Sequence, residues 1–190
     1  MRNNRMDSNH SKQCVAFLRG INVGGHHKIP MKELTLAMEQ WGYTQISTLL
    51  NSGNIIFHHR SIDSNQLEDE LEKHLQITYG FPVPVIIRDS CELMALLALD
   101  PFNQIELTKD LRFYVSFLKH RPSIHFDLPW ESGDSSFRII NIVDKAVISF
   151  LDVSKITTPN SMIILEKAFG KEITTRNWNT IIKIADKLKV

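Results

Sequence analysis

The segment Arg19-Gly-Ile-Asn-Val-Gly-Gly-His-His-Lys28 carries the residue types that an anion site needs. Glycines let main-chain N–H groups turn toward a ligand, Pro30 can open a helix whose positive end lies beside the loop, and Arg19 and Lys28 add formal charge. A second polar turn, Asn51-Ser-Gly-Asn54, offers amide and hydroxyl groups. Arg19, Asn22, Gly24, Gly25, Lys28, Asn51, Ser52 and Asn54 are therefore the candidate ligand contacts, through charge-assisted hydrogen bonds each worth roughly 1.5–3 kcal/mol net. Near the C-terminus, Thr174-Thr-Arg-Asn-Trp-Asn-Thr180 supplies Arg176 and Asn177. Placed in the first turn of a helix capped by Thr175, they suit a carboxylate or phosphate; the alternative is that Arg176 locks the helix onto its neighbour. Trp178 lies on the apolar stripe and is expected in the core.

Other chemistry is poorly served. His26-His27 and His58-His59 sit about 13 Å apart at ~3.3 Å per strand residue, and adjacent strand residues face opposite sides, so no metal site is expected. Ser52 with a loop histidine lacks a carboxylate placed by the sequence to orient the base, which leaves any catalytic residue unknown. Neither a dinucleotide fingerprint nor a phosphate loop with its lysine is present, and no cofactor is expected. Cys14, at a strand start, and Cys91, at a helix start, read as small buried hydrophobes. The two turns also have a purely structural reading, in which glycines only reverse the chain and Arg19 pairs with a nearby carboxylate.

The elements that must position these residues are legible in the first half. Cys14 to Leu18 is a strand; Met31, Leu34, Met38 and Trp41 mark a helix that Gly42 ends. Gln45–Leu50 and Asn54–Phe57 form a hairpin, Leu67, Leu71 and Leu75 mark a helix capped by Asp63 or Ser64, and Val83–Ile87 is a fourth strand. Strand, helix, strand, strand, helix, strand is the ferredoxin-like βαββαβ order. In it the first and second strands run parallel, which brings the 19–28 loop beside the 51–54 turn. Residues 90–190 form a second α+β lobe: a helix from Ser90 to Leu99, a strand over Leu111–Leu118, a hairpin around Asp144-Lys145, a helix opened by Thr158-Pro159, and a last helix. The 102–110 segment is the expected connection, and residues 1–12 read as a disordered leader ahead of a lobe over 13–89. The second lobe carries related elements, although no residue-level repeat is visible in the sequence.

Twenty-two Lys and Arg against 21 Asp and Glu leave a formal charge of +1, so no global field draws the chain to nucleic acid, which is disfavoured as a partner. The longest apolar run, Leu93–Leu99, falls far short of the roughly 20 residues of a membrane span. Two cysteines suit a reducing cytoplasm. The first-lobe strands are apolar on both faces, so a sheet covered on both sides is expected. That counts against base stacking on Phe17 and Phe57.

Val15-Ala-Phe-Leu-Arg-Gly-Ile-Asn-Val-Gly-Gly25, Lys28-Ile-Pro-Met31, Asn51-Ser-Gly-Asn54, Asp100-Pro-Phe102 and Thr175-Arg-Asn-Trp-Asn-Thr180 resemble the bacterial family known as domain of unknown function 1697. The resemblance spans Val15 to Thr180 and implies a cytoplasmic, two-lobed α+β protein with ferredoxin-like elements; it implies no activity. The chain departs from it in Leu49-Leu50, where an aromatic is expected, and in a longer leader. The functional expectation is a small anionic or phosphate-bearing ligand at the loop edge of the first sheet. The alternatives are an interaction module with structural motifs and, by analogy of fold, an acylphosphatase-like hydrolase. Oligomeric state is left open.

Overall fold

The computed structural model describes residues 11–60, 63–106, 108–123, 127–155 and 161–188. Residues 1–10 of the expected leader lie outside them, and Lys12 already belongs to a strand. The first unit contains β1 (Lys12–Leu18), α1 (Met31–Gln40), β2 (Thr44–Leu49), β3 (Asn54–His59), α2 (Ser64–Tyr79) and β4 (Val85–Asp89). Their sheet has the order β2-β3-β1-β4, all neighbours antiparallel, which is the ferredoxin-like arrangement expected. The helices form where apolar residues recur on one stripe: Leu34 and Met38 in α1, Leu67, Leu71 and Leu75 in α2. Asp63 caps α2 by accepting from the Asn65 amide, and Gly80 ends it with a φ of 78°. Val83 leaves the expected fourth strand because Pro84 has no N–H to give to a ladder.

The rest comprises α3 (Ser90–Ala98), β5 (Leu111–Leu118), β6 (Trp130–Glu131), β7 (Phe137–Val143), β8 (Ala146–Asp152), α4 (Ser161–Phe169), β9 (Ile173–Asn177) and α5 (Trp178–Leu188). A five-stranded sheet runs β6-β7-β8-β5-β9. Two expectations change, one lies outside the described residues, and one strand is unexpected. The cap of α3 is Asp89, in a reciprocal capping box with Glu92, and not Ser90. The start expected for α4 at Thr158-Pro159 lies outside the described residues. The short strand β6 had no sequence signal. Most consequentially, Thr175, Arg176 and Asn177 do not open a helix: the β-branched run Ile173-Thr-Thr pairs as a strand on the free edge of β5, and α5 begins only at Trp178, with Asn177 accepting from the Asn179 amide.

The two sheets repeat one plan. Strands β7-β8-β5-β9 stand in the order of β2-β3-β1-β4, α4 stands for α2, and α5 follows β9 as α3 follows β4; the first helix has no counterpart among the described residues, and β6 is added. Apolar residues on both faces of each sheet then have assigned partners. One face of the first sheet buries Ala16, Leu18, Ile55, Phe57 and Ile87 against α1 and α2. The other buries Val15, Phe17, Ile56 and Ile86 against Val115, Phe117 and Ile148 of the second sheet and against α3 and α5. Phe17 and Phe117 stack at 4.5 Å between centroids at the middle of this interface. Each such side chain, fully buried, contributes about 1.5–3 kcal/mol. Phe17 and Phe57 are both fully buried, on opposite faces, and neither is available for stacking a base.

The outer edge of β4 is closed by side chains. The Val85 amide donates to Glu72 Oε1 at 2.9 Å and the Ile87 amide to Glu68 Oε1 at 2.7 Å, while Arg88 donates to Ile87 O at 2.6 Å. Two carboxylates and a guanidinium thus take the bonds another strand would make. At the opposite turn, Gly53 has a φ of +75°, and a Cβ there would sit 2.7 Å from Leu18 Cβ and 2.8 Å from Ile21 Cδ1. Gly53→Ala is expected to cost about 2–4 kcal/mol, through positive-φ strain plus overpacking, measured by urea unfolding.

Cys14 is 5% exposed, and its thiol is pushed up to about 11, by burial first and by the neighbouring Asp89 carboxylate second, whereas Cys91 is exposed on α3. At pH 8 only about one Cys14 in a thousand is thiolate. A thiol reagent should therefore modify Cys91 alone in the folded protein and both cysteines in denaturant; labelling followed by mass spectrometry checks this.

Candidate functional site

The two polar turns do meet. Strands β1 and β2 both pair antiparallel with β3 and so run in the same direction, and their C-terminal ends emerge together. Leu18 N donates to Gly53 O at 2.8 Å. Asn22, with a φ of 56°, ties the loop to the turn: its Nδ2 donates to Asn51 O at 2.8 Å and Ile29 O at 3.0 Å, and its Oδ1 accepts from Ile29 N at 2.9 Å. Asn22 is therefore a brace. Asn54 is fully buried and donates to Leu49 O and to Ser52 Oγ, both at 3.0 Å.

Arg176 reaches this place from β9. Its Nε donates to Asn54 Oδ1 at 2.6 Å, one terminal nitrogen donates to Thr174 Oγ1 and Thr175 O, and the other to Leu18 O at 2.6 Å and Ser52 O at 3.3 Å. All five N–H groups of the guanidinium are spent, and it lies 5.5 Å over the Phe17 ring. Every acceptor is neutral. Among the described residues no carboxylate pairs with Arg176, and burial pulls its pKa down to about 10.

Arg88 is the same device in the other direction. It pairs with Val15 as Arg176 pairs with Val115, lies 5.7 Å over Phe117, and donates to Leu118 O and, at 3.5 Å, to Lys145 O in the β7–β8 turn. Each sheet sends one arginine over the central phenylalanine of the other and onto the carbonyl that ends the same strand. The cations after those strands are exchanged too. Arg19 pairs with Glu166 of α4 and donates to Lys171 O, while Lys119 pairs with Asp69 of α2 at 2.9 Å and Glu72 at 3.6 Å. The counter-charge is not repeated: Arg88 has the buried Glu68 at 3.8 Å, and Arg176 has no such partner among the described residues.

The ten candidate residues thus separate into two groups. Arg19, Asn22, Asn54, Arg176 and Asn177 are committed to internal bonds. Lys28 and the Asn51 side chain make no hydrogen bond or ion pair among the described residues, the Gly24 and Gly25 amides donate to no acceptor there, and Ser52 Oγ accepts one bond and keeps its proton. Gly24 and Gly25, at φ values of 60° and 81°, are the central residues of an exposed tight turn that His26 N closes by donating to Val23 O at 3.1 Å. Sequence reasoning missed Arg88, Glu68 and Lys119. A signal existed, since Val15-Ala-Phe-Leu-Arg19 is echoed by Val115-Ser-Phe-Leu-Lys119, and Arg88-Asp89 by Arg176-Asn177, each pair ahead of a helix. Among the described residues no three His, Cys, Asp or Glu side chains cluster to hold a metal ion, and no helix is long and apolar enough to cross a membrane.

A family model described as "Protein of unknown function (DUF1697)" matches residues 11–126. The chain belongs to this family. The match takes in the loop, the turn and the Phe117 strand, and stops short of the Arg176 motif. The solved structure of the conserved bacterial protein SP0830 from Streptococcus pneumoniae is similar, with a TM-score of 0.65 and 24% identity over 94% of this chain and 99% of that one. At that identity it shows that this DUF1697 chain shares the fold. No curated protein matches.

Proposed function

We propose that this DUF1697 protein binds a small anion, a phosphate or carboxylate group, at the loop edge of the first sheet, through Lys28, the Gly24 and Gly25 amides, Asn51 and Ser52. The observation that carries the reading is an asymmetry of charge between the exchanged arginines. Arg88 is balanced by Glu68; Arg176, half-buried beside the 51–54 turn and bonded to Ser52 O, is balanced by nothing among the described residues. Its field therefore emerges at the turn that carries Asn51 and Ser52. An anion there meets charge-assisted donors and recovers part of the electrostatic cost of burying the guanidinium. Arg176 and Arg19 do not touch the ligand in this reading. The committed Arg19 leaves the loop without the free guanidinium a hydrolase would use, which weighs against acylphosphatase-like chemistry. An interaction surface is favoured by one observation, the exposed Val23 and Leu50 at this same edge, 69% and 52% accessible.

Inorganic phosphate and acetyl phosphate, titrated at constant ionic strength, should raise the melting temperature, with stabilisation of about 1.4 kcal/mol at tenfold excess over Kd. Lys28→Ala removes an exposed side chain that braces nothing, and should abolish the rise without lowering the ligand-free melting temperature. No rise in the wild type, or an equal rise in Lys28→Ala, overturns the proposal. Phosphate release from acetyl phosphate in the same samples, lost in Arg19→Ala, would restore the hydrolase.

A further inference from the structure

The two units differ at one position that opens a cavity. Asn54 sits opposite Phe17 and opposite Leu49 in the first sheet; the residue opposite Phe117 and opposite Val143 in the second is Ala146. Asn54 gives Arg176 Nε its acceptor and donates to Leu49 O. With alanine in the equivalent place, Arg88 Nε has no acceptor among the described residues, although Arg88 is only 3% exposed. The fully enclosed polar side-chain atoms without a partner among those residues are Tyr43 Oη, Glu68 Oε2 and Ser149 Oγ, whereas Arg88 lines an open cavity. The space beside it is a cavity of about 210 Å³, lined by Arg88, Leu93, Leu96, Phe117, Val143 and Ala146.

We propose that this cavity binds a primary carboxamide carried on a small apolar body, the carboxamide taking the place that Asn54 fills in the other unit. Its carbonyl oxygen accepts from Arg88 Nε–H as Asn54 Oδ1 accepts from Arg176, and its NH2 donates to Val143 O, the counterpart of Leu49 O. The apolar body lies between Leu93 and Leu96 of α3 and the Phe117 ring. Charge selects the neutral group. Glu68 stands 3.8 Å from Arg88, and Glu92 and Asp144 lie at the rim with Lys145, so a carboxylate would enter among three carboxylates. A site with one buried donor unspent discriminates strongly between a guest that satisfies it and one that does not.

Benzamide is the probe, titrated against the full-length protein and followed by the methyl resonances of Leu93 and Leu96, with benzoate and toluene in parallel. Saturable shifts are expected with a Kd of about millimolar, which nine heavy atoms can supply, and binding at least about tenfold weaker for benzoate and for toluene. Ala146→Asn restores the internal carboxamide and should abolish benzamide binding in a folded protein. Should that variant fail to fold, Ala95→Phe serves as the block, because Ala95 is an exposed α3 residue on the cavity wall. No saturable shift up to about 20 mM, equal affinity for benzoate or toluene, or undiminished binding in the folded blocking variant each overturns the proposal.

Discussion

Arg176→Ala is expected to destabilise the protein by about 2–4 kcal/mol, because two acceptors on buried residues of the other sheet, Asn54 Oδ1 and Leu18 O, lose their donor at about 1–3 kcal/mol each, less what relaxation recovers, while the exposed Ser52 O turns to water. Arg176→Lys should recover only part of this loss. An ammonium has three donors on a flexible stem, and it cannot span the five acceptor atoms that the planar fork meets from both sides. Urea unfolding of the three proteins at one pH gives the comparison. A loss below about 1 kcal/mol in Arg176→Ala would mean that the two sheets are held by their phenylalanine stack alone.

Glu68→Ala should cost a similar amount, about 3–5 kcal/mol, by stranding Arg88 without a counter-charge and the Ile87 amide without an acceptor. Glu68→Gln keeps an acceptor for Ile87 and should cost less. The pH dependence separates these variants. Burial holds the Glu68 carboxyl above its ordinary value of 4.5, against the lowering effects of the Ile87 hydrogen bond and of Arg88. The folded state therefore binds this proton more tightly than the unfolded state. The Glu68 contribution is most favourable in acid and declines as pH climbs from the ordinary carboxylate value through the raised one. The stability of the wild type relative to Glu68→Gln should fall over that window, read as urea midpoints from pH 4 to 8. A flat difference would place the carboxyl in contact with water.

Much of the first sheet was legible because its signals are local. Helix stripes, Gly80, Asp63 and the Asn51–Asn54 turn each act within a few residues, and the ferredoxin-like order follows from them. The meeting of the two turns was legible as well, since strand direction follows from that order. The role of Arg176 was not. A β-branched run before Arg-Asn reads equally as the lead into a helix or as an edge strand, and only the free side of β5 decides between them. Nor could spacing reveal that Arg19 is drawn to Glu166, a contact 147 residues away. The duplication was visible as a similar succession of elements, but its residue-level mark, Val-x-Phe-Leu followed by a cation, is five residues long. Its meaning appears only when Phe17 and Phe117 are seen to stack.

The exchanged arginines also bear on how this molecule can move. A hinge that parted the two sheets would have to withdraw Arg176 from Leu18 and Arg88 from Leu118 in one event, uncovering the stacked rings at the same moment. The halves therefore travel as one block, and any response to a guest is confined to the tips of the loops and to side-chain rotations around a pocket whose frame stays still.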